Sequence, residues 1–534
     1  MIGHVYNNTL FTKGLLLRTA NAIRDAIYSS GNNELINQYE QLGDLRKQIS
    51  NLQQKADYNK ELVETRQEQA ERLEKVITQS QQAQAYRDLK ADISITWKDI
   101  QKQLKPNEAA IEFVHFRLYH NKWTDSTIYA ALVLCPNIET PVWIPLCEQK
   151  QLETILQATV EDTRLQTENL YIDKGIELYQ LIWQVMEKEL SNVKTIYYSP
   201  SGLLHKITFS AIPAGAVVET GHVPYLLSDK YNLHLVSSTR EIARLKKDTA
   251  TSFVQDTTVV YGGLIYDMQQ SAMIAAAKRY SQPDRQTSVT GSRVLNRIRE
   301  QRVVELPAAE IRSGFSEWKY LAGTKTETEQ IVSSLEINRI PYQYYTENAG
   351  NEESFKHLSG TNTGVIHLAT HGFFLPDIEN IQIEDLIQRL GGNKKNPLLR
   401  SGLIMSGANN QWIAKNYIME NDIEDGILTA DEISRLILTK TKLVVLSACE
   451  TGLGDVKNSE GVFGLQRAFK LAGVESLIMS LWKVPDEATA ELMIGFYQLW
   501  LSGKTKNEAF ASAQKLVREK YGEPYYWAGF VMMD

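Results

Sequence analysis

Two short apolar runs end in side chains that can do chemistry. One is Val365-Ile366-His367-Leu368-Ala369-Thr370-His371-Gly372; the other is Leu443-Val444-Val445-Leu446-Ser447-Ala448-Cys449-Glu450-Thr451-Gly452. Both read as strands, and strand patterns alternate with helical ones around them, which argues an α/β layer with a mostly parallel sheet. In open parallel sheets ligands bind beyond the carboxyl ends of the strands. His371 and Cys449 stand at such ends, each closely followed by glycine. A thiol needs a base or cationic neighbour to attack at neutral pH. An imidazole lowers its pKa from about 8.5 and later returns the proton to the leaving group. Gly372 lets the backbone approach a substrate and offers an N–H to a developing oxyanion, with the Cys449 N–H as a second donor.

The rest of the chain divides into a helical arm and two α/β halves. Residues 1–105 read as helix. From Leu42 an apolar series falls at steps of three and four (Leu45, Ile49, Leu52, Ala56, Val63, Ala70, Leu73, Ile77), interrupted at Asn59 and Arg66. That pattern suits a long amphipathic or coiled-coil helix, either a hairpin packed on the next domain or a docking surface for a regulatory or sensor protein. Residues 106–250 carry strands at Ala110–Phe116, Thr127–Leu134, Lys194–Tyr198 and Tyr231–Val236, with helices near 148–160 and 175–190. Residues 251–534 open with strand Thr258–Leu264 and a long loop with helical pieces over 265–305. Helix Glu327–Ser334, strand Tyr342–Thr346, helix Glu352–Leu358 and strand Val365–Ala369 follow.

Composition excludes several classes. A net charge of -7 gives no support for direct nucleic-acid binding, which favours a basic face. Three cysteines in 534 residues are no disulfide framework and fit a reducing compartment. No apolar run reaches the roughly 18 residues of a membrane span, and the first residues do not resemble a secretory signal. A cytoplasmic protein is the expectation.

Beyond the two strand ends, Glu460-Gly461-Val462, Leu465-Gln-Arg-Ala-Phe-Lys-Leu-Ala-Gly473, Ser480-Leu-Trp-Lys-Val-Pro-Asp486, Phe496-Tyr497 and Trp527-Ala-Gly-Phe530 follow in order. Together these motifs resemble the CHAT peptidase family, relatives of caspases and separases, over roughly residues 360–534. Weaker similarity extends upstream through Tyr198-Ser-Pro-Ser-Gly-Leu203, Phe209-Ser-Ala-Ile-Pro213 and Val236-Ser-Ser-Thr239, like the non-catalytic first half that such domains carry. The resemblance implies a caspase-like fold and cysteine endopeptidase activity on protein substrates through a His371–Cys449 dyad, with no cofactor and no metal. It also implies a regulated bacterial protease linked to defence or cell death. Two other expectations are a catalytically silent interaction module and a self-processing zymogen cut near Lys395 or Arg400.

In such relatives the pocket for the residue before the cut is lined by the loop after the strand that Ser476–Trp482 forms here. Trp482 would wall it, and Asp486 would select arginine or lysine by a charge-assisted pair. The alternative is that Asp486 caps the helix running to Leu499; Glu450 and Asp455 are rival acids, and an apolar pocket is the remaining alternative. His367, within the strand, reads as structural. The stretch between His371 and Cys449 holds Gly391-Gly-Asn-Lys-Lys395 and Pro397-Leu-Leu-Arg-Ser-Gly402, a surface loop followed by a strand, or a lid over the cleft. Asp422, Glu424, Asp425, Asp431 and Glu432 form an acidic run that reads as solvated, with a cation site as the alternative. Gly262-Gly263 is no phosphate loop, since no Gly-Lys-Ser/Thr follows.

Overall fold

A computed structural model of the chain describes all residues except 54–59, 158–161, 216–224, 246–255, 281–316, 376–396, 413–422, 449–450, 453–454 and 458–460. Cys449, Glu450 and the stretch 391–395 therefore lie outside the described residues, as do Asp422 and Ala56.

The helical arm is five helices rather than one long rod: α1 (Ile2–Thr12), α2 (Leu15–Ser29), α3 (Asn33–Gln53), α4 (Lys60–Ile93) and α5 (Trp97–Gln103). Gly14, in the left-handed region at φ 65°, turns the chain between α1 and α2. The apolar series closes a hairpin core in which Leu42, Ala70 and Ile77 meet Leu35 and Ile27. Its faces match because three- and four-residue steps keep one stripe of each helix apolar. α1 and α5 belong to a different cluster. Tyr6, Leu10, Trp97 and Ile100 pack on Ala110, Leu132 and Leu134 of the first two strands.

The strands are β1 (Glu108–His120), β2 (Lys122–Leu134), β3 (Val142–Glu148), β4 (Thr195–Ser199), β5 (Asn232–Leu235), β6 (Thr257–Leu264), β7 (Tyr342–Glu347), β8 (Thr363–Ala369), β9 (Gly372–Phe374), β10 (Ser401–Ile404), β11 (Ile427–Thr429), β12 (Leu443–Ser447), β13 (Asp455–Lys457), β14 (Gly461–Phe463), β15 (Ser476–Ser480) and β16 (Phe530–Met533). An 11-stranded sheet runs β3-β2-β1-β4-β5-β16-β15-β12-β8-β6-β7. The fold is α/β with a large, mostly parallel sheet, as the alternation of patterns predicts. Its antiparallel pairs are β1–β2, β2–β3 and β15–β16. The two α/β stretches on either side of residue 250 share this one sheet, joined where β16 lies between β5 and β15.

β8 and β12 lie inside the sheet, and every residue of both is buried. Strands covered on both faces need apolar side chains on both, which is why their sequences run rather than alternate. Helix Ala322–Ile337 packs over β6 and β8 and against helix Asp486–Leu501. Its close approach explains the glycine pair in β6: a Cβ on Gly262 would stand 2.5 Å from the Thr328 side chain. β3, β9 and β11 are absent from the sequence reading, while β10 lies at the strand expected around Pro397-Leu-Leu-Arg-Ser-Gly402. β3 carries Pro and Cys and β9 opens on Gly among their apolar positions, and β11 is three residues, too short to show a period.

Candidate active site

β8 and β12 are adjacent and parallel, with Ala369 paired to Ser447. Beyond Ala369 the chain continues through Thr370 and His371 into β9, which pairs with β10. Thr370 is buried and tied twice, its Oγ1 donating to the Ile404 carbonyl at 2.5 Å and meeting the Tyr266 hydroxyl at 3.0 Å. The Ile404 N–H donates to the His371 carbonyl at 2.9 Å. In an antiparallel ladder the next residue turns its N–H to the other side, so that of Gly372 points away from β10.

The His371 ring is half-buried among aromatics, 4.8 Å from the Trp318 ring and 5.1 Å from that of Tyr266 between centroids. Its Nε2 lies 2.8 Å from the Lys319 carbonyl oxygen. That carbonyl can only accept, so Nε2 carries the proton and Nδ1 is the basic nitrogen. Burial lowers the pKa of His371 from its ordinary 6.5, while the Lys319 bond and the Asp486 carboxylate pull it up and Lys483 pushes it down. The imidazole is thus neutral at pH 7, the form that takes a proton.

Sequence reasoning missed what orients this histidine. Asn409 brackets Trp318, its Oδ1 accepting from the Trp318 N–H at 2.9 Å and its Nδ2 donating to the Trp318 carbonyl at 3.0 Å. The neighbouring Lys319 carbonyl is held in turn. Asn409 opens the short helix Asn409–Trp412, and nothing in the sequence ties it to His371 without the fold.

On the second strand, Ser480 fixes both flanks of positions 449–450. Its hydroxyl donates to the Ala448 carbonyl at 2.6 Å, and its N–H donates to Thr451 Oγ1 at 3.1 Å. Its carbonyl accepts from the Gly452 N–H at 2.7 Å. Beneath them His367 is fully buried, with Nε2 2.9 Å from Glu327 Oε1; the Ser447 hydroxyl donates to the other oxygen of Glu327 at 3.0 Å. Glu327, itself buried, is a second residue that sequence reading did not single out.

Trp482 and Asp486 line one small cavity with Thr370, Ala448, Ser480 and Glu327. Asp486 does not cap its helix. Pro485 is the N-cap residue and Asp486 the first helical one, without a side-chain capping bond. The indole N–H of Trp482 donates to the Tyr525 carbonyl at 3.0 Å, and Gly529 lies against it; a Cβ there would meet Val484 at 2.3 Å and the indole nitrogen at 3.0 Å. At about 30 Å³ the cavity has room for water rather than a long side chain.

Two acids of the run, Glu424 and Glu432, turn inward beside Glu352 rather than standing alone in solvent. Glu352, Glu424 and Glu432 surround the Lys356 ammonium at 2.6, 2.8 and 3.0 Å. The lysine sits where a cation would have to enter. Burial, then the Glu432 charge, pushes Asp425 up to about 7.

A family model described as the CHAT domain matches residues 173–534, more than half of the chain. The chain belongs to the CHAT domain family. Tetratricopeptide repeat protein 28 is 34% identical over 113 residues in Homo sapiens and 34% over 109 in Mus musculus. Those matches span 21% and 20% of this chain but 4% of each relative. Among solved structures, the Saccharomyces cerevisiae separase–securin complex at 3.0 Å resolution aligns over 84% of this CHAT chain and 31% of its own, at 9% identity and TM-score 0.41. The Arg specific cysteine proteinase gingipain R aligns over 69% and 67%, at 9% identity and TM-score 0.35. At such scores the chemistry of this CHAT chain rests on its own residues.

Proposed function

We propose that this CHAT protein is a caspase-like cysteine endopeptidase acting through His371 and Cys449. The observation that carries the reading is the register of β8 and β12. Ala369 and Ser447 are paired, neighbouring strands are about 4.8 Å apart, and each candidate residue follows its paired residue by two positions. Cys449 Sγ attacks the peptide carbonyl carbon while His371 Nδ1 takes the thiol proton. The C–N bond breaks as that proton passes to the amine, and water then hydrolyses the thioester. The N–H groups of Gly372 and Cys449 hold the oxyanion.

Lysine or arginine before the cut is the preference that the Trp482–Asp486 cavity supports. Glu327 is committed to His367 and Ser447, which leaves Asp486 as the acid oriented towards a substrate cation, with Glu450 as its rival. Because the cavity is smaller than either side chain, Trp482 and the segment around Leu321 must part on binding.

The test is a peptide-library cleavage profile of wild type beside Cys449→Ser, with an active-site thiol probe. Cys135 and Cys147 serve as internal references, since burial pushes both thiols up to about 11. Cleavage lost in the variant and selective labelling of Cys449 are expected. Equal labelling of the three cysteines with no cleavage would leave an interaction module instead.

A further inference from the structure

Asp486 borders two spaces. One is the small cavity it shares with Trp482; the other is an open groove of about 650 Å³, a volume within the range of binding sites. The floor of the groove is one face of helix Asp486–Leu501, where Asp486, Glu487, Glu491, Ile494, Gly495 and Gln498 fall together at helical spacing. From Asp486 to Gln498 that face is about 18 Å long, at about 1.5 Å per residue. Helix Ala322–Ile337 forms one wall through Thr326 and Gln330, and helix Lys506–Tyr521 the other through Leu516 and Val517.

Leu516 is 54% exposed and Ile494 half-buried, so the groove presents apolar side chains to solvent. Its charged residues are all acids; no lysine or arginine lines it. Glu491 is engaged by Lys520 and the Tyr521 hydroxyl, whereas Asp486 and Glu487 are exposed at the end where Asp486 acts on His371. A Cβ at Gly495 would meet Ala513 alone among the described residues, at an ordinary 3.7 Å. Packing therefore does not demand glycine there, although an interior glycine weakens a helix. The missing side chain deepens the groove.

We propose that this groove docks a basic amphipathic helix of the protein substrate, beside the segment to be cut. The inference rests on the peptidase reading above. All three sides of the groove are helices, whose backbone groups are bonded within themselves, so an extended strand would find no edge to pair with. A helix brings its own backbone bonds and offers side chains at matching spacing. Its apolar residues pack on Ile494 and Leu516 over Gly495, while lysine or arginine meets Glu487. Because Asp486 borders both spaces, a helix seated here delivers the adjoining chain to the cleft.

Three peptides that share one basic cut sequence test this on the full chain. One has about eight residues, and the second adds about twelve residues of leucine and lysine at helical spacing. The third carries glutamate in place of each added lysine. The extension is placed on each side of the cut in turn. On one side kcat/KM should rise roughly tenfold for the lysine peptide over the short one, with no gain for the glutamate peptide. Gly495→Leu fills the groove with a better helix former. It should abolish the gain and leave short-peptide cleavage and the melting temperature undiminished. Glu487→Lys, a charge reversal at an exposed position, should cut the gain as well and guards against a folding failure in the first variant. A gain that survives both substitutions, an equal gain with glutamate, or cleavage of all three peptides at one rate would overturn the proposal. Sedimentation of a wild-type dimer that Gly495→Leu dissociates would give the groove to a second copy of this chain, and would overturn it too. Cleavage of none of the peptides would sink the peptidase reading itself, and the docking site with it.

Discussion

The Nε2 atom of His371 lies 2.8 Å from the carbonyl oxygen of Lys319, a backbone group whose neighbour Trp318 is bracketed by Asn409. Asn409→Ala removes the bracket without touching the imidazole. If the Lys319 carbonyl orients the base, kcat should fall by about 10²-fold while KM changes little, since small misplacements cost that much. An unchanged kcat in a folded variant would show that the ring is held by its aromatic neighbours alone.

The pH profile follows from the depressed pKa of His371. A neutral base persists below its ordinary 6.5, so the acid limb of kcat/KM should lie below pH 6.5. Asp486→Asn should move that limb lower and Lys483→Gln should move it higher, because the carboxylate raises and the ammonium lowers this pKa. A limb that neither substitution moves belongs to another group. For stability the sign is separate: the unfolded chain binds the proton first as pH falls below 6.5, so this site weakens the fold on the acid side.

Glu327→Ala should destabilise the chain by about 3 kcal/mol, read from urea midpoints, because His367 and the Ser447 hydroxyl would be left buried without their acceptor. A loss below about 0.5 kcal/mol would mean that water replaces the carboxylate.

Gly529→Ala places a methyl group 2.3 Å from Val484 and 3.0 Å from the Trp482 indole nitrogen. One of them must shift, at a cost of about 1–3 kcal/mol. The preference for the residue before the cut should broaden along with the loss of stability. A variant with wild-type melting and profile would remove Trp482 from the pocket.

Asp425→Asn tests the cluster around Lys356. Asp425 is raised from 3.8 to about 7, so the folded state binds its proton more tightly and this group's contribution to stability falls as pH rises from about 4 to 7. The variant should gain on wild type over that interval and hold the gain above it. A pH-independent difference would contradict the raised value.

The strands that carry the site were legible because both are buried on two faces, which leaves continuous apolar runs ending at His371 and Cys449. The arm's stripe was legible for a similar reason, its period surviving in Leu42, Ala70 and Ile77. The parts that escaped depend on residues distant in the chain. Asn409 reaches Trp318 across 91 positions and Glu327 reaches Ser447 across 120, and no local pattern records such pairs. The Asp486 cap reading failed by one residue, since Asp is favoured at the cap itself but proline took that position.

One hydrogen-bonded ladder passes from β5 through β16 and β15 to β12. A chain severed between β5 and β6 would therefore split into two blocks of five and six adjacent strands that meet in the sheet along one short seam, where Met533 of β16 pairs with Leu235 of β5. Within the sheet, that seam alone holds one half to the other.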